Sequence, residues 1–370
     1  MAGETELAGG GGDAAGQVVR SGPERTGPRT VKDVVSYSVD PQRVLFSATP
    51  DEIVAGWTTD VYFVKTREIL ERLGLADTPV VAEIFPRREG VLAGVEECRR
   101  LLMQVPAELR VWALAEGETF SPREVVMRIE GPYAAFGIYE TALLGILASS
   151  SGWATAARIV KEAAGGKPVY SFGARHVHPA VAPVLERAAI VGGADGAACI
   201  MAAKLAGQEP VGTVPHALFL IVGDSVETAK AYHAIMPPTE PRTILVDTFK
   251  DEAEESLRVA EALGEALQGV RLDTPSERGG VTPELVREVR YRLDQAGYRH
   301  VKIFISGGLT PERIRLLAEA GADAFGVGSF ISAAPPIDMT MDVKEVAGKP
   351  IAKRGRLPGK QENPRLKRII

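Results

Sequence analysis

Residues 301–331 read VKIFISGGLTPERIRLLAEAGADAFGVGSFI. A short apolar run, VKIFIS, ends in two glycines, and Thr310-Pro311-Glu312 then sets a capping hydroxyl before a proline at the first helical position. A second apolar run, AFGVGSFI, follows the helical stretch. Strand, helix, strand over so few residues predicts two parallel strands joined by a crossover helix.

The same unit recurs upstream. From residue 167 to 331 the runs PVYSFGAR, AAIVGGADG, VGTVPHALF, TILVDTF, GVRLDTPS, VKIFISGG and AFGVGSFI each precede a polar or glycine turn and an amphipathic stretch. Thr282-Pro283-Glu284 repeats the helix-start signal, and Leu285, Val289 and Leu293 then mark one buried helical face. Seven such units can close into a barrel or open as a doubly wound sheet. Polar residues stand at the expected strand ends: Arg175, Asp195, His216, Asp247, Asp273 and Ser306. A barrel gathers strand ends into one mouth, whereas an open sheet spreads them along an edge, so an α/β barrel over residues 151–335 is the reading that makes them one site.

Upstream, extended pieces at residues 58–65 (TTDVYFVK), 80–85 (VVAEIF) and 109–113 (LRVWA) mix with a helical stretch at 94–103. That mixture predicts an α+β layer over residues 31–150, joined to the barrel by a long Ala- and Leu-rich helix over 139–164. The first thirty residues carry a Gly run and few large apolar side chains, which cannot offset the entropy of ordering, so they are expected to be a disordered tail.

Composition is that of a globular enzyme: 370 residues, 45% apolar and 25% charged, with a net charge of −5 that advertises no nucleic-acid surface. Two cysteines, Cys98 and Cys199, cannot build a disulfide framework or a Cys-rich zinc site, which fits a cytoplasmic chain. No secretory signal and no membrane span are expected.

Several pieces could carry chemistry. Ser306-Gly307-Gly308 and Gly328-Ser329 follow the last two strands, where glycines let backbone N–H groups approach a phosphate; tight turns needing positive φ are the alternative. Asp247-Thr248 and Arg271-Leu272-Asp273 supply carboxylates for ribose hydroxyls or Mg²⁺ and a guanidinium for phosphate oxygens, or else a strand-end ion pair. Phe172 and Arg175 could stack on a flat heterocycle and answer its negative charge. His176 and His178 lack the further ligand a metal needs. His216, in GTVPHALF, is either a packed core histidine or an imidazole poised to take and release a group near neutral pH.

The ordered series FGAR, GGADG, GTVPHA, ILVDTF, VRLDTPSERGG, ISGGL and GVGS resembles the nicotinate phosphoribosyltransferase family of type II phosphoribosyltransferases. The resemblance runs from about residue 31 to 356 and includes Thr59-Asp60-Val61-Tyr62, Asp342-Val343 and Lys353-Arg354-Gly355-Arg356. It implies an irregular seven-stranded α/β barrel beside a sandwich-like α+β domain made from both chain ends, residues 31–150 completed by 336–370. It implies a homodimer with shared active sites, and joining of nicotinate to 5-phosphoribosyl 1-diphosphate in NAD salvage, coupled to ATP and with Mg²⁺. Phe172 would stack on the pyridine and Tyr62 on its other face from the neighbouring subunit. Arg175 would face base and phosphoribosyl groups, and Asp195 the pyridine substituent. Asp247, Thr248, Asp273 and Arg271 would surround ribose and Mg²⁺-diphosphate, with Ser306, Gly307, Gly308, Gly328 and Ser329 at the 5′-phosphate. His216 would be phosphorylated by ATP. No zinc module is expected. The nicotinamide and quinolinate enzymes, and an inactive phosphometabolite-binding relative, are the alternatives.

Overall fold

The computed structural model of the protein describes residues 27–370. The expected tail of residues 1–30 therefore lies, but for its last four residues, outside the described residues.

The first layer is built on β1 (Pro79–Pro86), β2 (Gly90–Val91), β3 (Arg110–Ala113), β4 (Thr119–Phe120) and β5 (Met127–Pro132). After these come the parallel strands β6 (Val169–Ser171), β7 (Gly196–Ala197), β8 (Thr243–Leu245), β9 (Gly269–Leu272), β10 (Lys302–Ser306) and β11 (Ala324–Val327). The chain then returns to the first layer as β12 (Met339–Val346), β13 (Lys349–Pro350) and β14 (Lys367–Arg368). An antiparallel six-stranded sheet of order β13-β12-β1-β5-β3-β14 thus draws strands from both chain ends. Its longest contact runs Val80 against Val346 to Pro86 against Met339, so the returning strand β12 lies beside β1, within this sheet.

The second sheet has the order β7-β6-β11-β10-β9-β8, every pair parallel. Its first and last strands, β6 and β11, are hydrogen-bonded neighbours, and all others follow chain order around them. That is a ring cut between β7 and β8, and it matches the barrel reading with six strands where seven were expected. The missing strand is VGTVPHALF. Val211 donates one bond to Ala197 (2.9 Å), but Pro215 has no N–H to give a ladder, and as helix cap it starts the helix His216–Val222.

Two other apolar runs fold differently from expectation. TTDVYFVK opens the helix Val61–Arg72, whose next turn carries the i,i+4 pairs Arg67–Glu71 and Glu68–Arg72. AAIV belongs to the helix Ala182–Gly192, closed by Gly193 at φ 116°, and only Gly196–Ala197 is strand. Short apolar runs have no period that separates strand from buried helix. The helix-start signals hold: Thr282 and Thr310 each cap their helix through the side-chain oxygen.

The helix Glu140–Ala163 joins the layers, packing Leu143 and Leu147 into the core of the first and Trp153, Ala157 and Val160 into that of the second. The stretch Tyr133–Ala163 is long and apolar enough to cross a membrane by length and composition; 56% of its apolar window is buried inside the fold, as in a core helix.

Candidate active site at the mouth of the parallel sheet

Arg271 lies at the centre of the site. β9 carries it inward, largely buried, where Nε donates to Ser306 Oγ (2.9 Å) and the two Nη atoms donate to Thr213 Oγ1 (2.7 Å) and Asp273 Oδ2 (3.3 Å). Ser306 in turn donates to Asp273 Oδ1 at 2.7 Å. Burial lowers the Arg271 pKa, and the Asp273 and Asp247 carboxylates pull it back up. Thr213 gave no signal of its own in the sequence; its place in the segment that replaces the seventh strand makes it a ligand of Arg271.

The guanidinium of Arg271 stands 5.5 Å over the ring of Phe172, which also packs on Phe304 at 5.9 Å. Two glycines make room. A Cβ on Gly326 would lie 2.4 Å from the Phe172 ring, and one on Gly328 would lie 2.7 Å from His176. Gly328 is thus required by close approach, whereas Gly307 (φ 91°) and Gly308 (φ 56°) occupy the left-handed turn region after β10. His176 Nδ1 meets Ser332 Oγ at 3.0 Å, bridging the loops after β6 and β11, beside Ser329. Arg175, next to His176, is exposed and has no ion pair among the described residues.

Across the mouth, His216 Nε2 lies 3.0 Å from Asp247 Oδ2. The carboxylate is wholly buried and the imidazole 39% exposed. Burial raises the Asp247 pKa, and the hydrogen bond and charge of His216 lower it. Asp247 Oδ1 and Thr248 Oγ1 are buried with no hydrogen-bond partner. Such orphaned oxygens suit a bound cation or a hydroxyl-rich ligand. His216 reaches this place from the first turn of a helix, a correction to its expected position at a strand end.

One expected site residue stands elsewhere. Asp195 precedes β7, at the entry end of the strands, where its Oδ2 accepts from Val169 N–H (2.8 Å) and Lys161 Nζ (2.7 Å). Its own N–H donates to Val169 O at 2.7 Å. Asp323 does the same for Ile303 (2.9 Å and 2.8 Å), with Lys302 as its cation. Both belong to a Gly-Ala-Asp triplet, 193–195 and 321–323, whose glycine closes a helix at positive φ. The repeated triplet is a strand-start clamp, and it places Asp195 away from the mouth. Tyr62, expected to serve the site of a neighbouring subunit, lies in the first layer of its own chain, 55% exposed and lining a cavity of about 350 Å³ with Thr66, Tyr133, Glu140, Asp342 and Lys353.

Residues 60–151 match the family described as quinolinate phosphoribosyl transferase, N-terminal domain, and residues 153–342 match its C-terminal domain. The chain belongs to the quinolinate phosphoribosyl transferase family. It is a type II phosphoribosyltransferase of NAD biosynthesis. Its fold is similar to that of the nicotinate-nucleotide pyrophosphorylase from Pyrococcus furiosus, with 49% identity and a TM-score of 0.81 over 86% of this chain and 82% of the other. Among curated relatives, the nicotinate phosphoribosyltransferase pncB1 of Mycobacterium tuberculosis is 30% identical over 340 residues, 81% of this chain and 75% of the relative. A probable carboxylating nicotinate-nucleotide pyrophosphorylase of Methanothermobacter thermautotrophicus is 24% identical over 72% of this chain and 89% of that protein. The polar network around Arg271 stands at the carboxyl ends of the parallel strands, the face on which α/β barrels carry their active sites.

Proposed function

We propose that the protein joins nicotinate to 5-phosphoribosyl 1-diphosphate, giving nicotinate mononucleotide and diphosphate, and that ATP is hydrolysed through a phosphohistidine at His216. The observation that carries this reading is the 3.0 Å contact between His216 Nε2 and buried Asp247. With Asp247 ionised, Nε2 holds the proton and Nδ1 keeps its lone pair for attack on the terminal phosphorus of ATP. The bond to the ADP oxygen breaks, ADP leaves, and water later takes the phosphoryl group from Nδ1.

The phosphoribosyl step needs little acid–base chemistry. Breaking the C1 bond to diphosphate builds positive charge on the sugar and negative charge on the leaving group, so Asp247 and Asp273 beside the ribose and Arg271 at the diphosphate act in the transition state. The pyridine nitrogen is already nucleophilic and needs only placement on the Phe172 ring. Mg²⁺ fits the orphaned Asp247 Oδ1. No group of three or more His, Cys, Asp or Glu among the described residues could hold a metal alone, so Asp247 and Asp273 would share it with diphosphate oxygens, where it neutralises the leaving group. Gly307, Gly308, Gly328 and Ser329 would cradle the 5′-phosphate. Tyr62 of a second subunit would close the other face of the base in a homodimer.

The second reading is quinolinate as substrate, favoured by the family description and by the names of the Pyrococcus and Methanothermobacter proteins. Against it stands the charge beside the Phe172 ring among the described residues of one chain: with Arg271 assigned to the diphosphate, Arg175 is left to answer a carboxylate. Two carboxylates call for more cations than that.

The test is diphosphate release from the phosphoribosyl donor and Mg²⁺ with nicotinate, nicotinamide or quinolinate, with and without ATP. Release with nicotinate, stimulated by ATP, is expected. Release with quinolinate alone establishes the second reading, and none with any base overturns enzymatic activity. His216→Ala should keep nicotinate binding, lose ATP stimulation and lose the acid-labile phosphate seen by mass spectrometry. A variant that is still phosphorylated and still stimulated overturns the role of His216.

A further inference from the structure

We propose that Glu186 is a positioning residue for the pyridine substrate, its carboxylate tying the loops after β6 and β7 together and so setting the direction of Phe172 and Arg175. The proposal rests on the reading of Phe172 and Arg175 as base-binding residues. Glu186 lies on the helix Ala182–Gly192 and is wholly buried, between helix neighbours Leu185, Ala188 and Ala189 that serve the core as apolar residues do. No cation pairs with it among the described residues. Instead Oε1 accepts the N–H of Ala174 (3.0 Å) and Oε2 that of Cys199 (2.7 Å).

These two amides define its work. Ala174 stands between Phe172 and Arg175, and Cys199 caps the helix that follows β7. The loop is pressed onto the same helix at Gly173, where a Cβ would lie 2.8 Å from the Leu185 side chain. Burial raises the Glu186 pKa, and the amides of Cys199 and Ala174 offset part of that rise. A buried charge is costly where packing alone would serve, and here each oxygen meets a different loop. Only a carboxylate accepts from both: the amide of glutamine would turn N–H against N–H at one of them.

Glu186→Gln and Glu186→Asp test this, beside Phe172→Ala and wild type. In Glu186→Gln the KM for nicotinate should rise about tenfold, with kcat and the KM for phosphoribosyl diphosphate within about twofold, and Glu186→Asp, which keeps two acceptor oxygens, should recover part of the loss. An unchanged nicotinate KM, or equal rises in both KM values, overturns the proposal. Should Glu186→Gln not fold, amide hydrogen exchange decides. Nicotinate should slow exchange over residues 172–176 and 198–201 of wild type, and Glu186→Asp should speed it there; no difference overturns the proposal. If Phe172→Ala leaves the nicotinate KM unchanged, the base-site reading fails first, whatever Glu186 does.

Discussion

Arg271 shows why a single residue type is needed at the centre of the mouth. Its planar fork meets three oxygens on three separate segments, at Ser306, Thr213 and Asp273, a reach that a lysine ammonium cannot reproduce. Glu140 shows the opposite case, a charged residue with little to hold it. Burial pushes its carboxyl up to about 7, and the Tyr133 hydroxyl, 3.3 Å away, only partly offsets that. The folded value lies above the unfolded one, near 4.3, so the folded chain binds the proton more tightly. Stability from this group is therefore full below about pH 4.3 and is lost as pH rises through about 7. Glu140→Gln should raise Tm at pH 8 by a few degrees and match wild type near pH 4. Melting curves that stay parallel across that range would show that Glu140 carries no such cost.

At the scale of the element, the Gly-Ala-Asp clamps separate a structural aspartate from a chemical one. Asp195→Ala and Asp323→Ala should each lower stability by about 1–2 kcal/mol, the worth of hydrogen bonds to a charged group, and leave the nicotinate KM unchanged. A selective rise in that KM for Asp195→Ala would return Asp195 to the site. The sequence made β8 to β11 legible because each run is apolar and short, and those of β8, β9 and β10 lead into a helix capped by Asp251, Thr282 or Thr310. It also made Phe172, Arg271, Asp273, Ser306, His216 and Asp247 candidates, each within or at the end of an apolar run, but not the contact between His216 and Asp247. It hid what depends on tertiary context. AAIV is helix because Gly193 ends it late, and GTVPHALF is loop and helix because Pro215 cannot join a ladder. The clamp was visible in principle, since the triplet occurs twice. Thr213 and Glu186 were not, because their roles lie in contacts 58 and 12–13 residues away along the chain.

At the scale of the molecule, β12 to β14 return to the first sheet, so the strands that flank the barrel bind both chain ends into one layer. That layer carries Tyr62, exposed and lining a cavity with Glu140, Asp342 and Lys353, while Phe172 faces the mouth of the other sheet. Under the proposed function one subunit lends Tyr62 to its partner, and complementation tests this directly. Tyr62→Ala and Phe172→Ala, each crippled alone, are co-expressed or mixed after dissociation. Half of randomly paired dimers are then mixed, each with one intact and one doubly altered site, so about a quarter of wild-type activity should return. Activity that stays at the level of the separate variants would mean that Tyr62 and Phe172 do not meet across a subunit boundary.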